Sequence, residues 1–112
     1  MTDNDVERIA IRDFGRERLS QVMEILNEYG KQEWNRPGSP RVRLAILKLA
    51  NGDLEKLIEH TELAIRDFRD VLAMAEYPRF LTDISLDKAP KQVQGQAIDD
   101  DWKQYKEWFE RE

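Results

Sequence analysis

The chain has 112 residues, with 18 basic and 23 acidic side chains, a net charge of −5 and no cysteine. Its hydrophobic fraction of 40% suffices for folding and its length supports one core, so we expect a single domain over residues 1–112. The acidic balance argues against a general binder of nucleic acid or of anionic membranes. The lack of cysteine excludes disulfides, thiol catalysis and cysteine-based metal sites. Residues 1–5 lack the pattern of a signal peptide, so we expect a cytoplasmic protein.

The N-terminal part of the chain predicts a helix between Val6 and Tyr29. Its later part carries apolar residues at the three- and four-residue spacing of a buried helical stripe, namely Leu19, Val22, Met23, Leu26 and Tyr29. The earlier part, residues 6–14, fits neither the helical nor the strand period, and Gly15 marks either a break or only a weak point. Gly30 stands where a glycine commonly ends a helix.

A second helix is predicted to begin at Ser39, because serine followed by proline supplies a capping hydroxyl and a residue suited to the first turn. Its apolar face consists of Val42, Leu44, Ala45, Ile46, Leu47 and Leu49. The sequence Asn51-Gly52-Asp53 then predicts a tight turn, in which Gly52 ends this helix and Asp53 caps the next one.

The strongest helical periodicity runs from Leu54 to about Glu76. One narrow arc of this helix collects Leu54, Leu57, Ile58, Thr61, Ile65, Phe68 and Leu72. Ala64, Val71 and Ala75 flank that arc, and Leu63 and Met74 lie almost behind it. An apolar surface this broad predicts a central helix with neighbours on two sides. A single core of this size does not cover every side of such a helix, so we expect a homodimer.

Residues 78–97 show no clear period, yet they include apolar side chains such as Phe80 and Leu81. We interpret them as an irregular arm that lies on the protein's own core or on another subunit. A last helix is predicted from Asp99 to about Arg111, with an apolar stripe of Ile98, Trp102, Tyr105 and Phe109. The predicted fold is therefore all-α, an antiparallel bundle of about four helices with a long central helix.

The sequence contains little that indicates catalysis or nucleic-acid recognition. Residues 42–76 have the outline of a helix-turn-helix, but Lys48 stands where close packing needs a small residue, and the second helix is too acidic to approach phosphates. His60 is the only histidine and lies at the edge of an apolar arc, which is typical of a packed side chain. We therefore predict no catalytic, cofactor-binding or metal-binding residues, and no DNA, membrane or metal partner.

Two runs of the chain, Arg41 to Leu54 and Asp67 to Pro78, resemble a group of small bacterial all-helical proteins. The resemblance rests on about a third of the chain. No activity is attached to that group, so the resemblance implies a bacterial source and a helical fold and transfers no functional residue.

The leading hypothesis is a protein–protein interaction or self-association module without catalytic activity. Its expected surface includes Leu63, Met74, Phe80 and Leu81. The alternative is a helical bundle that binds, or acts on, a small anionic ligand. In that case the cationic side chains available to hold the anion are Arg41, Arg43, Arg66 and Arg69.

Overall fold

The computed structural model describes residues 2–29, 39–76 and 91–111, and these residues form five α-helices and no β-strand. The helices are α1 (Asp3–Phe14), α2 (Leu19–Asn27), α3 (Ser39–Ala50), α4 (Leu54–Glu76) and α5 (Lys91–Glu110). A short 3₁₀ turn, Arg16–Arg18, joins α1 to α2. The predicted all-α class is confirmed for this part of the chain. None of its helices has both the length and the apolar character needed to cross a bilayer.

The stretch before Gly15, which fits neither period in the sequence, is helical. A capping box fixes its start, because the Asp5 N–H donates to Thr2 Oγ1 at 3.4 Å and the Thr2 N–H donates to Asp5 Oδ2 at 3.0 Å. The residues that α1 buries are Val6, Ile9, Ala10 and Phe14. Gly15 has a φ of +90°, which favours glycine, and α1 ends there. Of the two alternatives for Gly15, the break is confirmed.

The turn between α3 and α4 follows the predicted chemistry. α3 begins at Ser39, and Asp53 caps α4 by accepting the N–H of Glu55 at 2.9 Å. Asn51 and Gly52 both adopt left-handed conformations, with φ of +51° and +79°. A Cβ atom at position 52 would lie 3.1 Å from the backbone oxygen of Asp13, so Gly52 also permits the close approach of α1 to this turn.

The long helix α4 differs from its prediction in one respect, a kink at Asp67. This residue has φ of −155° and ψ of 95°, and its Oδ1 accepts the Arg69 N–H at 3.1 Å, as the cap of a new helix does. The fully buried apolar and hydroxyl side chains of α4 are Leu57, Thr61, Ala64, Val71 and Ala75. Ile58, which the predicted arc included, is 45% exposed. The buried face is therefore rotated from the predicted arc.

The helix most enclosed by its neighbours is α3. It packs mainly against α4 and also against α1, and α2 packs against α1 and α4. The buried residues of α3 are Val42, Leu44, Ala45, Ile46, Leu47 and Ala50. Because these positions cover more than one face of the helix, α3 has core neighbours on two sides. The helix α4, for which neighbours on two sides were predicted, packs against α2, α3 and α5.

The C-terminal helix α5 begins at Lys91, so the prediction of an irregular arm is wrong for residues 91–97. The rest of that arm, including Phe80 and Leu81, lies outside the described residues, as does Gly30. The face that α5 buries matches the predicted stripe only in part, because Tyr105 is buried and Phe109 is partly buried, whereas Ile98 and Trp102 are exposed. Among the described side chains of α5, the buried ones are Asp101, Tyr105 and Trp108.

Candidate functional site

The C-terminal end of α5 is fixed to α1 by two arginines. Arg12 Nη1 donates to the backbone oxygens of Trp108 at 2.7 Å and of Arg111 at 2.6 Å, and Arg8 Nη2 donates to that of Phe109 at 3.1 Å. The last carbonyl groups of a helix lack partners within the helix and carry partial negative charge, so guanidinium groups satisfy them well. The Arg8 and Arg12 guanidinium groups also lie over the rings of Phe109 and Trp108, 5.0 and 5.2 Å from the ring centres. This end of α5 is therefore held in one position.

The middle of α5 meets a buried ion pair between α3 and α4. The fully buried carboxylate of Glu76 accepts two hydrogen bonds from half-exposed Arg41, one from Nε at 2.9 Å and one from Nη2 at 2.6 Å. Tyr105 is buried beside this pair. Burial, and then the negative charge of Glu76, raise the pKa of Tyr105 well above its usual range, and Arg41 opposes that rise. The tyrosine hydroxyl is therefore neutral at physiological pH.

A second charged contact joins α5 to α3. Burial lowers the pKa of Lys48 below its usual value, and the nearby carboxylate of Asp101 opposes the change. Asp101 is itself buried. In addition, Gln104 Nε2 donates to the backbone oxygen of Ala75 at 3.4 Å. The side of α5 that faces the protein therefore combines polar and aromatic side chains, and we call Asp101, Gln104, Tyr105 and Trp108 its inner face.

The adjoining side of α5 is apolar and open to solvent. Three large apolar side chains of the described residues are exposed, and two of them, Ile98 at 38% and Trp102 at 44%, lie one turn apart on α5. The Trp102 ring stacks on the buried Tyr105 ring with 5.6 Å between centres and 5° between planes. Next to it is a depression of about 260 Å³, lined by Trp102, Tyr105, Lys106, Phe109 and Glu110. We call Ile98, Trp102 and the partly buried Phe109 the outer face of α5.

The surface residues predicted for self-association do not form this face. Leu63 is partly buried and packs against the core, and Met74 is partly buried on α4. Phe80 and Leu81 lie outside the described residues. The candidate surface in the structure is instead the outer face of α5. Its residues belong to the stripe that the sequence predicted to be buried.

The four arginines predicted to hold an anion are divided between two regions. Arg41 binds Glu76, and Arg43 Nη2 donates to the backbone oxygen of Tyr29 at 2.9 Å. Arg69 is exposed and forms an ion pair with Asp67 at 3.3 Å, and exposed Arg66 lines a shallow depression with them at the kink of α4. The structure therefore does not gather these arginines into one anion site.

Side chains that could bind a metal ion are not grouped in the part of the chain that the structure describes. Over residues 2–29, 39–76 and 91–111 no three His, Cys, Asp or Glu side chains are grouped so as to hold a metal ion. His60 Nδ1 lies 2.8 Å from the backbone oxygen of Lys56, one turn earlier in α4. This is a local contact within α4 by a partly buried side chain.

Comparison with protein-family models, with curated proteins and with solved structures finds no match for this chain. The candidate site therefore depends on the geometry alone. The outer face is visible in the sequence as Ile98, Trp102 and Phe109 at spacings of four and seven. Its exposure is not visible there, because it depends on which residues of α3 and α4 meet the other side of α5.

Proposed function

We propose that this protein is a helical protein-interaction module without catalytic activity, and that it self-associates through the outer face of α5. The observation that carries the proposal is Trp102, a large aromatic side chain that is 44% exposed while its ring stacks on a buried tyrosine. Tryptophan is enriched among the residues that contribute most to protein interfaces. Exposed Ile98, one turn away, extends the apolar surface.

The inner face of α5 supports the same proposal. Association is weakened by the entropy lost when mobile side chains and segments become ordered at an interface. The bonds of Arg8 and Arg12 to the end of α5, and the burial of Tyr105 in its middle, hold the outer face in place before any partner arrives. A preformed surface of this kind binds with little further ordering.

The proposal also covers the arrangement of the helices, the cellular compartment and the source of the protein. The antiparallel pairing of α3 and α4, with Arg41 at the start of one helix against Glu76 at the end of the other, supports an antiparallel bundle. The lack of cysteine suits a reducing compartment, so we place the protein in the cytoplasm. A bacterial source remains a proposal from the sequence resemblance.

The test is the molar mass in solution, measured by sedimentation equilibrium at protein concentrations from about 5 to 300 µM, in the micromolar range of weak interfaces. We expect a monomer–dimer equilibrium that Ile98→Glu shifts to monomer. Ile58→Glu is the matched control, because Ile58 is exposed to a similar degree, 45% against 38% for Ile98, but lies on α4. A wild-type protein that stays monomeric over the whole range, or an equal effect of both variants, would contradict the proposal.

A second candidate function, binding of a small anion, has one observation in its favour. A cleft of about 440 Å³ between α3 and α5 contains two cationic and two amide side chains, being lined by Lys48, Asn51, Gln104, Glu107, Trp108 and Arg111. Its volume is within the range of small-molecule sites. A thermal-shift screen with phosphorylated and carboxylated metabolites tests this function. A stabilising compound that loses its effect in both Lys48→Met and Arg111→Gln supports it.

A further inference from the structure

We propose that the partner on the outer face of α5 is a second copy of this chain, docked antiparallel about a two-fold axis beside Trp102. This inference rests on the proposed function and adds the orientation and the register. It starts from the spacing of the outer face, in which Ile98, Trp102 and Phe109 are separated by four and seven residues. That spacing is the pattern by which one helix packs lengthwise against another.

Two exposed residues of opposite charge lie along one edge of the outer face. Asp99 and Lys106 are seven residues apart, so they lie on the same side of α5, about 10 Å from each other along its axis. Neither forms an ion pair with any described residue. Lys106 also lines the apolar depression next to Trp102. The chain therefore presents an acidic and a basic group at a fixed separation beside its exposed apolar face.

The order of these charges sets the orientation. In an antiparallel pair related by a two-fold axis, a residue before the axis in one copy faces a residue equally far after it in the other. The midpoint between positions 99 and 106 lies between Trp102 and Lys103. An axis at that point brings Asp99 of each copy to Lys106 of the other and sets the two Trp102 side chains against each other. A parallel pair puts each charge level with its own counterpart and brings no opposite charges together.

The size of the face sets the strength of the interaction. From Ile98 to Phe109 the face is about 17 Å long, which limits the contact to the small end of specific interfaces. We therefore expect a dissociation constant in the micromolar range, on the order of 10 µM. Since the two charge pairs lie at the rim and are exposed to solvent, their effect decreases at high salt.

The charge pairs are tested by exchange, using sedimentation velocity at about 50 mM salt, where screening is weak. Asp99→Lys alone and Lys106→Asp alone each create two like-charge contacts, and each variant is expected to dimerise about tenfold more weakly than wild type. An equimolar mixture of the two variants restores both opposite-charge contacts, so it forms a heterodimer about as tight as the wild-type homodimer. The double variant Asp99→Lys/Lys106→Asp restores the homodimer in the same way.

Glu107→Lys is the matched control, because it makes the same charge change on α5 at an exposed position away from the outer face. It is expected to leave the dissociation constant within about twofold of wild type. If the mixture dimerises no better than the single variants while Ile98→Glu still abolishes the dimer, the antiparallel register is wrong and the proposed function stands. A wild-type protein that remains monomeric at 300 µM would overturn both, and the outer face is then covered from within its own chain or by a different protein.

Discussion

The two faces of α5 differ in the side chains that they bury and expose. The inner face buries Asp101 and Tyr105, while the outer face leaves Ile98 and Trp102 in contact with solvent. The inner face is buried because α3 and α4 provide partners for its polar groups, namely Lys48 and the Arg41–Glu76 pair. Buried polar groups are tolerated where such partners exist. The orientation of this helix therefore depends on these polar partners as well as on the burial of two aromatic rings, Tyr105 and Trp108.

Because of this contrast, substitutions on the inner face are expected to change the stability of the fold, and substitutions on the outer face are expected to change dimerisation. Residues of the inner face contribute to the free energy of unfolding, because their contacts exist in the isolated chain. Residues of the outer face contribute to it much less, and their main effect is on binding. Substitutions on the two faces therefore have different expected outcomes in two measurements, chemical denaturation and molar mass.

The largest difference is expected between Tyr105→Ala and Trp102→Ala. Tyr105 is buried, so its truncation is expected to lower the free energy of unfolding by about 3–5 kcal/mol, as for other buried aromatic residues. Trp102→Ala removes a half-exposed ring and is expected to lower it by only about 1 kcal/mol, while it abolishes dimerisation. Urea denaturation of both variants, each below the dimerisation range, measures the first effect. An equal loss of stability in the two would mean that the faces are not distinct.

Removal of Arg41 tests whether the inner face depends on its charged partner. Arg41→Ala leaves the fully buried carboxylate of Glu76 without its two guanidinium hydrogen bonds. Because Arg41 itself is half-exposed and water can partly replace it, we expect a loss of about 3 kcal/mol, the low end for a broken buried pair. Arg69→Ala is the control, since the exposed Arg69–Asp67 pair is expected to contribute at most about 1 kcal/mol. Denaturation midpoints that shift equally in both variants would contradict the buried role of the pair.

The attachment of α5 to α1 is tested at Arg12. Arg12→Ala removes hydrogen bonds to the carbonyl groups of Trp108 and Arg111, and we expect a loss of about 2 kcal/mol. Arg12→Lys keeps the charge but not the planar group that reaches both carbonyls, so it is expected to restore only part of this loss. Amide hydrogen exchange at residues 105–111 locates the effect. Exchange there that matches wild type in Arg12→Ala would show that the arginine does not hold the helix end.

Local chemistry made much of the backbone predictable. The start of α3 at Ser39 and the cap of α4 at Asp53 depend on residues adjacent in sequence, and both are confirmed. The sequence around Asp67 also indicates the kink, since aspartate favours caps over helix interiors and Asp70 follows three residues later. The apolar period continues through this point, however, and it predicts one unbroken helix.

The faces of α5 were predictable only in part. Tyr105 belongs to the predicted stripe and is buried. The exposure of Ile98 and Trp102 depends on how α5 meets α1, α3 and α4, which are far away in sequence, and hydrophobic periodicity contains no information about such partners. The same limit applies to the start of α5 at Lys91, where Gly95 and the surrounding polar residues give no apolar period. The candidate interaction surface follows from the orientation of α5, so it too needed the structure.

The smallest expected effect is the contribution of Tyr105, a residue of the inner face, to the change in the free energy of unfolding at alkaline pH. The folded protein raises the pKa of Tyr105 above its ordinary value of 10, mainly through burial. Above about pH 10 the unfolded chain therefore releases a proton that the folded protein keeps, so the stabilising contribution present below that pH is lost as the pH rises. Burial also raises the pKa of Tyr29, which adds a loss of the same sign. The lowered pKa of Lys48 acts in the opposite sense just below about pH 10.5, because there the unfolded chain binds the extra proton.

A comparison of wild type with Tyr105→Phe removes the contributions of Tyr29 and Lys48, which both proteins share. Between about pH 9.5 and 11 the wild-type free energy of unfolding is expected to fall by about 1 kcal/mol more than that of the variant. Urea denaturation across this range measures the difference. Parallel curves for the two proteins would show that Tyr105 ionises as readily in the folded protein as in the unfolded chain, and that the inner face is open to water.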